Sequence, residues 1–252
     1  MTTRPPIEVF PDPEKLIQAA AEHVIEIAAQ GIRQNGRIAI ALSGGSTPRP
    51  LYSLLATEKY SKRIDWPKVH LFWGDERCVP VGSPQSNYQM AHKTLLAVIP
   101  IPVSNVHRIH GEEDPEKAAV AYERELRTFF GMNVTGGLPR LGFDLILLGM
   151  GDDGHTASLF PGSPAVNEKE RWVMAQHVEG VSMWRITLTP VVINAAKDVL
   201  FIVSGAEKAE RVHSVIEGPF QPEVLPAQII RPAHGRLLWL LDEAAASRLE
   251  RF

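Results

Sequence analysis

The sequence predicts an α/β fold with a mostly parallel sheet covered on both faces by helices. Two observations predict it. Short apolar runs alternate with helical patterns along the whole chain, the signature of repeated strand–helix units. The run at 143–148 is apolar after Asp144, as expected of a central strand buried on both faces. With no Ser/Pro-rich linker and no fixed-period repeat, residues 1–252 read as a single domain with one continuous sheet.

The elements follow in order. Residues 7–10 read as a strand, and Asp12-Pro13-Glu14 opens a helix to about residue 30. Aspartate can cap the orphan amides there, and proline costs nothing at the first helical position. Residues 37–42 form a buried strand, followed by Ser43-Gly44-Gly45-Ser46 and a helix through Leu55. A strand at 69–73, a helix at 86–97 and a helix from Asp114-Pro115-Glu116 to Phe130 come next. Residues 131–140 read as a connection. Strands are then expected at 143–148, 172–177, 184–188, 199–203 and 237–241, with helices near 206–217 and after Asp242. In such sheets ligands bind where strand C-termini meet helix N-termini.

Composition narrows the function. At 44% apolar and 22% charged residues the chain is an ordinary globular one, which excludes disorder, collagen and coiled coil. A formal charge of −3 lacks the basic excess of a nucleic-acid binder. The lone cysteine, Cys78, cannot form an internal disulfide, which fits a reducing compartment. The first residues show no apolar core of signal-peptide length, and no apolar stretch is long enough for a membrane span. A cytoplasmic enzyme or small-molecule binder is the expectation.

Four places carry chemistry-bearing residues. The first is Ser43-Gly44-Gly45-Ser46-Thr47-Pro48, between a strand and a helix. Its glycines permit close backbone approach, and its hydroxyls and helix amides suit an anion such as phosphate. It lacks the downstream Gly-Lys-Ser/Thr of a nucleotide P-loop and is not a nucleophile elbow. An ordinary capped turn is the competing reading. The second is Trp73-Gly74-Asp75-Glu76-Arg77, where an arginine can hold an anion and a carboxylate can orient it or act as a base. A solvated charged loop is the alternative.

The third is Gly149-Met150-Gly151-Asp152-Asp153-Gly154-His155. It satisfies the Gly-x-Gly-x-x-Gly spacing, but Asp152 and Asp153 would face a pyrophosphate with like charge, and Pro161-Gly162 would end the helix as it starts. It reads better as a turn presenting a carboxylate with His155, whose imidazole titrates near neutrality. The fourth is a pair of cations, Arg185 within an apolar strand and Lys208 after Ser204-Gly205. Each alone could be a surface cation with a buried stem. His107 and His110 lack a zinc spacing, so no metal is assigned. Asn133-Val134-Thr135 matches a glycosylation acceptor without a secretory signal, and Cys78 reads as an inert thiol.

Taken in order, these motifs resemble the superfamily of 6-phosphogluconolactonases and glucosamine-6-phosphate deaminases. Ser86-Asn87-Tyr88, Phe143-Asp144-Leu145, Ser158-Leu159-Phe160-Pro161, Arg185-Ile186-Thr187 and Leu225-Pro226-Ala227 extend the match over almost the whole chain. The resemblance implies a three-layer Rossmann-like sandwich and hydrolysis of 6-phospho-D-glucono-1,5-lactone in the oxidative pentose phosphate pathway. It implies a phosphate held by residues 43–47, Arg185 and Lys208, with His155 as general base and Asp75 and Arg77 at an acid–arginine site. Asp153 is a candidate for orienting the imidazole. Thr156-Ala157-Ser158-Leu159-Phe160 carries no acid, with Phe160 about where the deaminase branch has a glutamate, and Arg77 stands where that branch usually has a tyrosine. Both departures point to the lactonase branch. The deaminase reaction and a non-catalytic sugar-phosphate sensor are the alternatives. Gln228 differs from the small hydroxyl residue expected there and receives no role. The implied partner is a phosphorylated sugar lactone, without cofactor, nucleic acid or membrane, in a monomer or homodimer. Arg77, Arg185, Lys208 and the 43–47 amides should form a positive pocket within a negative protein.

Overall fold

The structure, a computed structural model, describes residues 4–131 and 142–250. Asn133-Val134-Thr135 and most of the expected 131–140 connection lie outside these. Strand β1 (Ile7–Phe10) leads into α1 (Pro13–Asn35), capped by Asp12, whose side chain accepts from the Lys15 amide. The helix runs past the expected end near residue 30, and Gly36 closes it in the left-handed conformation at φ 73°. Next come β2 (Ile38–Leu42), α2 (Pro48–Leu55), a short α3 (Glu58–Ser61), β3 (Val69–Trp73) and β4 (Asp75–Arg77). The expected helix at 86–97 divides into α4 (Asn87–Ala91) and a π-helical turn at His92–Leu96. Then follow β5 (Val106–His107), α5 (Pro115–Phe129), β6 (Leu145–Leu148), β7 (Val173–Val178), β8 (Met183–Leu188) and α6 (Pro190–Ile193). The chain closes with β9 (Asp198–Val203), α7 (Ala209–Ile216), β10 (Arg236–Asp242) and α8 (Glu243–Ala246).

Among the described residues seven strands form a parallel sheet in the order β1-β10-β9-β6-β2-β3-β5. From β2 the chain moves outward to β3 and β5, then returns to the other side of β2 as β6. The strand order therefore reverses between β2 and β6, and the loops leaving these two strands open a crevice. Those loops are residues 43–47 and the turn that begins at Gly149.

One expectation is corrected. The runs at 172–177 and 184–188 do not join the main sheet; they form an antiparallel hairpin, β7–β8, with β4 paired to β8 in a separate three-stranded sheet. The reason is connection length. Only residues 179–182 separate β7 from β8, whereas a parallel crossover needs roughly a dozen residues. A 3-10 turn at Glu179–Val181 and Ser182 at φ 45° complete the reversal. Gly74 joins the two sheets: its amide donates to Leu42 O at 2.8 Å, and the Leu188 amide donates to Gly74 O at 2.8 Å.

Candidate active site

The 43–47 loop leaves the sheet at Ser43, whose backbone is held by the buried Tyr52 hydroxyl. At Gly44 a Cβ would stand 1.9 Å from Asn87 Oδ1, so glycine is required there by space, while Gly45 adopts φ 107°. Thr47 makes no side-chain cap on α2. Pro48 and Pro50 remove two of the amides that the first helical turn would otherwise present. A cavity of about 340 Å³ opens beside this loop, and Gly45, Ser46, Arg49, Arg77, Ser86 and Asn87 are among its lining residues. Arg49 was not singled out in the sequence, because one arginine in a helical turn reads as surface.

Residues 75–77, for which a solvated loop is the alternative reading, form β4. Asp75 is buried; its Oδ2 accepts from Ser158 Oγ at 2.6 Å and its Oδ1 from Asn87 Nδ2 at 3.1 Å. Glu76, only 2% exposed, accepts from the amides of Arg77, Asn87 and Tyr88 at 2.7–2.8 Å and from Ser86 Oγ at 2.9 Å. Burial pushes its carboxyl up, and these four donors pull against that shift. Three of these partners, Ser86, Asn87 and Tyr88, are the start of α4, so Glu76 anchors a helix.

Arg77 and Arg185 are register partners across β4 and β8. Arg77 Nη1 donates to Gln85 O at 2.6 Å. Among the described residues neither arginine's buried Nε has a partner. Burial, and then the Arg77 charge, lower the pKa of Arg185, which is 9% exposed. Two adjacent guanidiniums with free donors are a site for an oxyanion.

Beyond β6, the turn at 149–155 brings His155 Nδ1 to 2.6 Å from Asp153 Oδ1, which also accepts from the His155 amide at 3.0 Å. Burial pushes the Asp153 carboxyl up, but the hydrogen bonds from the His155 ring and amide outweigh it and hold it below the ordinary range. With Nδ1–H donating to a carboxylate, Nε2 is left as the acceptor nitrogen, and no hydrogen bond among the described residues occupies it. The Phe160 ring stacks on the imidazole at 4.2 Å between centroids. At Gly151 a Cβ would come within 2.1 Å of the His155 ring, so glycine is needed for this close approach. The loop is fastened by Thr156 Oγ1 to Gly149 O at 2.8 Å, by Ser158 to Asp75, and by Gln176 Nε2 to Ser158 O at 2.5 Å. Ala157, between these fastenings, takes φ 49°, a left-handed conformation uncommon outside glycine.

Lys208 reaches the same turn, where its ammonium pairs with the Asp152 carboxylate, and Arg211 Nε donates to Asp152 O at 3.0 Å. Gly45, Ser46, Arg77 and Asn87 thus line one cavity, with Arg185 the strand partner of Arg77, and His155 and Asp153 form a second group. Asp75–Ser158 connects the two, and Lys208 is tied to the second through Asp152. Gln228 lies apart: its side chain is fully engaged with the Gln221 amide and the carbonyls of Ser214, Val215 and Pro219. His107 is engaged by His70 and Glu125, and no group of three or more His, Cys, Asp or Glu among the described residues is placed to hold a metal ion.

Comparison with known proteins is consistent in direction. Residues 11–239 match the family described as glucosamine-6-phosphate isomerases/6-phosphogluconolactonase. The chain is 42% identical to a 6-phosphogluconolactonase of Synechocystis sp. over 246 residues, covering 97% of this chain and 98% of that protein. It is 41% identical to the enzyme of the same name from Nostoc sp., covering 96% and 98%. The solved 6-phosphogluconolactonase of Trypanosoma cruzi superposes with a TM-score of 0.87 at 34% identity, covering all of this chain and 99% of that one.

Proposed function

The chain belongs to the glucosamine-6-phosphate isomerase/6-phosphogluconolactonase family, and from that premise we propose that His155 is the base with which it opens a phosphorylated lactone. The reaction is hydrolysis of 6-phospho-D-glucono-1,5-lactone to 6-phospho-D-gluconate, in the oxidative pentose phosphate pathway.

A lactone is a cyclic ester, so water attacks C1 and the ring oxygen departs. The 2.6 Å contact between His155 Nδ1 and Asp153 carries this reading, because it turns Nε2 outward as a base. His155 takes the water's proton while Asp153 stabilises the imidazolium, and the proton then returns to the leaving ring oxygen. Such acid–base assistance contributes roughly 10²–10⁴ in rate. Gly151 and Gly154 already spend their amides inside the turn, so donors to the C1 oxyanion come from its other amides or from Arg77. The Arg77–Arg185 pair, residues 43–47 and Lys208 hold the phosphate, which positions C1. Asp75 acts through Ser158 and Asn87, since both its oxygens are engaged.

The same reading takes residues 1–252 as one domain, supported by contributions to the site from both sheets. It also takes the protein as cytoplasmic, supported by the single cysteine, whose thiol burial pushes up to about 11. Among the described residues no helix is long and apolar enough to cross a membrane. The test is a coupled assay of 6-phosphogluconate with freshly generated lactone. His155→Ala should abolish turnover while leaving the melting temperature within a few degrees. Unchanged turnover would remove the base assignment, and ammonia release from glucosamine 6-phosphate by the wild type would place the chain in the deaminase branch.

A further inference from the structure

Tyr52 in α2 and Tyr122 in α5 make the same contact at the ends of two neighbouring strands. The Ser43 amide donates to Tyr52 Oη at 3.0 Å, and that hydroxyl donates to Ser43 O at 2.8 Å. The Trp73 amide donates to Tyr122 Oη at 2.9 Å, and that hydroxyl donates to Trp73 O at 3.0 Å. Each phenol therefore satisfies both backbone groups of one residue, as a neighbouring strand would.

The two clamped residues stand where the ladder runs out. Leu42 and Trp73 are register partners, and the Gly74 amide makes one further bond to Leu42 O. Ser43 lies one residue beyond β2, and β5, the outer neighbour of β3, ends at His107 opposite Phe72. Past this level the chains diverge, one into the 43–47 loop and the other into β4 with Asp75 and Arg77. Both hydroxyls are deeply buried, so the backbone groups they satisfy have no access to water. Burial raises both phenol pKa values far above the ordinary value, which keeps each O–H protonated and able to donate. A phenylalanine would fill the same volume without serving either backbone group.

We propose that Tyr52 and Tyr122 are positioning residues of the active site, Tyr52 setting the exit of the phosphate loop and Tyr122 setting the entry into the strand that carries Asp75 and Arg77. The Tyr52 half rests on the phosphate role given above to residues 43–47. The two halves have separate signatures. Tyr52 acts on a loop that would touch only the phosphate, so its loss appears in KM. Tyr122 acts through β4, and Asp75 is bonded to Ser158 in the loop that carries His155, so its loss appears in kcat.

The experiment compares Tyr52→Phe, Tyr122→Phe and a control, Leu51→Ala, which weakens the same helix without touching a clamp. Each full chain is assayed where circular dichroism shows it folded, with the phosphorylated lactone and with unphosphorylated glucono-1,5-lactone. Tyr52→Phe should raise KM for the phosphorylated lactone about tenfold and leave kcat and the unphosphorylated KM within about twofold. Tyr122→Phe should lower kcat about tenfold on both substrates. Kinetic constants that stay at wild-type values in both variants, or that Leu51→Ala reproduces, would overturn the proposal. Equal KM values for the two lactones in the wild type would instead remove the phosphate reading. Hydrogen exchange on the wild type covers a variant that fails to fold: the Ser43 and Trp73 amides should exchange as slowly as central β2 and β3. Exchange there as fast as at Ser46 would also overturn it.

Discussion

Arg77 and Arg185 stand opposite each other on adjacent antiparallel strands, and among the described residues the buried Nε of each has no hydrogen-bond partner. Like charges directly opposite on a sheet repel, and burial of Arg185 adds to the cost. The arrangement becomes favourable when an anion bridges the two guanidiniums. Inorganic phosphate or 6-phosphogluconate should therefore raise the wild-type melting temperature, with a stabilisation of about 2.7 kcal/mol at a hundredfold excess over Kd. Arg185→Met should lose most of that increment, and without ligand it should melt no lower than wild type. Scanning fluorimetry at low ionic strength measures both, and an Arg185→Met protein with the full ligand increment would remove the anion role.

Asp153 and His155 form the other half of the site. Asp153→Asn removes the charge that stabilises the imidazolium and lets the ring take either tautomer. The expected result is a fall in kcat of about a hundredfold with KM little changed. A kcat within twofold of wild type would separate Asp153 from the reaction.

Two glycines of the same turn behave oppositely. A methyl at Gly151 would meet the His155 ring at 2.1 Å, whereas one at Gly149 would meet nothing within 4 Å. Gly151→Ala should cost at least tenfold in kcat through displacement of the imidazole, and Gly149→Ala should be close to neutral. Steady-state kinetics of the two variants side by side decides it. Equal effects would mean that backbone freedom, and not space beside the histidine, explains the glycines.

How much of this is legible in the sequence depends on where each signal lies. β2 and β6 are uninterrupted apolar runs, and their buried, parallel placement follows directly. The β7–β8 hairpin is misread as part of the main sheet, although its connection is too short for a crossover. β4 is not legible, because Asp-Glu-Arg reads as solvent-facing until the amides around Glu76 are located on α4. The pairing of Asp153 with His155 is local and visible in the spacing. That of Lys208 with Asp152 joins turns 56 residues apart, and only the fold brings them together. Tyr52 and Tyr122 look like any apolar stripe of a helix, since a pattern of burial does not show where a hydroxyl points.

Glu76 gives a stability prediction free of the reaction. Each of its two oxygens accepts two hydrogen bonds, so an amide at this position must turn an N–H₂ toward donors. Glu76→Gln should therefore destabilise the fold by roughly 1–3 kcal/mol. For a chain of this size each kcal/mol lowers the melting temperature by about 2–4 °C. Calorimetry at neutral pH tests it; an unchanged melting temperature would show that the Glu76 charge is not what holds the start of α4.

Acid should weaken the fold at the far edge of the sheet. His70 Nδ1 lies 3.1 Å from His107 Nε2, and His107 Nδ1 lies 2.6 Å from Glu125 Oε1. Phe129 packs against both imidazoles, and the Arg37 guanidinium lies over the Phe129 ring. Burial, with the charges of His107 and Arg37, lowers His70 from its ordinary 6.5 to about 4. Between those values the unfolded chain binds a proton at His70 that the folded chain refuses. The neutral histidine's contribution is thus complete above pH 6.5 and falls away as the pH drops toward 4. His70→Gln has no such proton to gain, so its melting temperature should fall less than the wild type's between pH 7 and pH 4.5. Melting curves for the two proteins across that range should converge on acidification, and curves that stay parallel would show that His70 does not govern this part of the acid response.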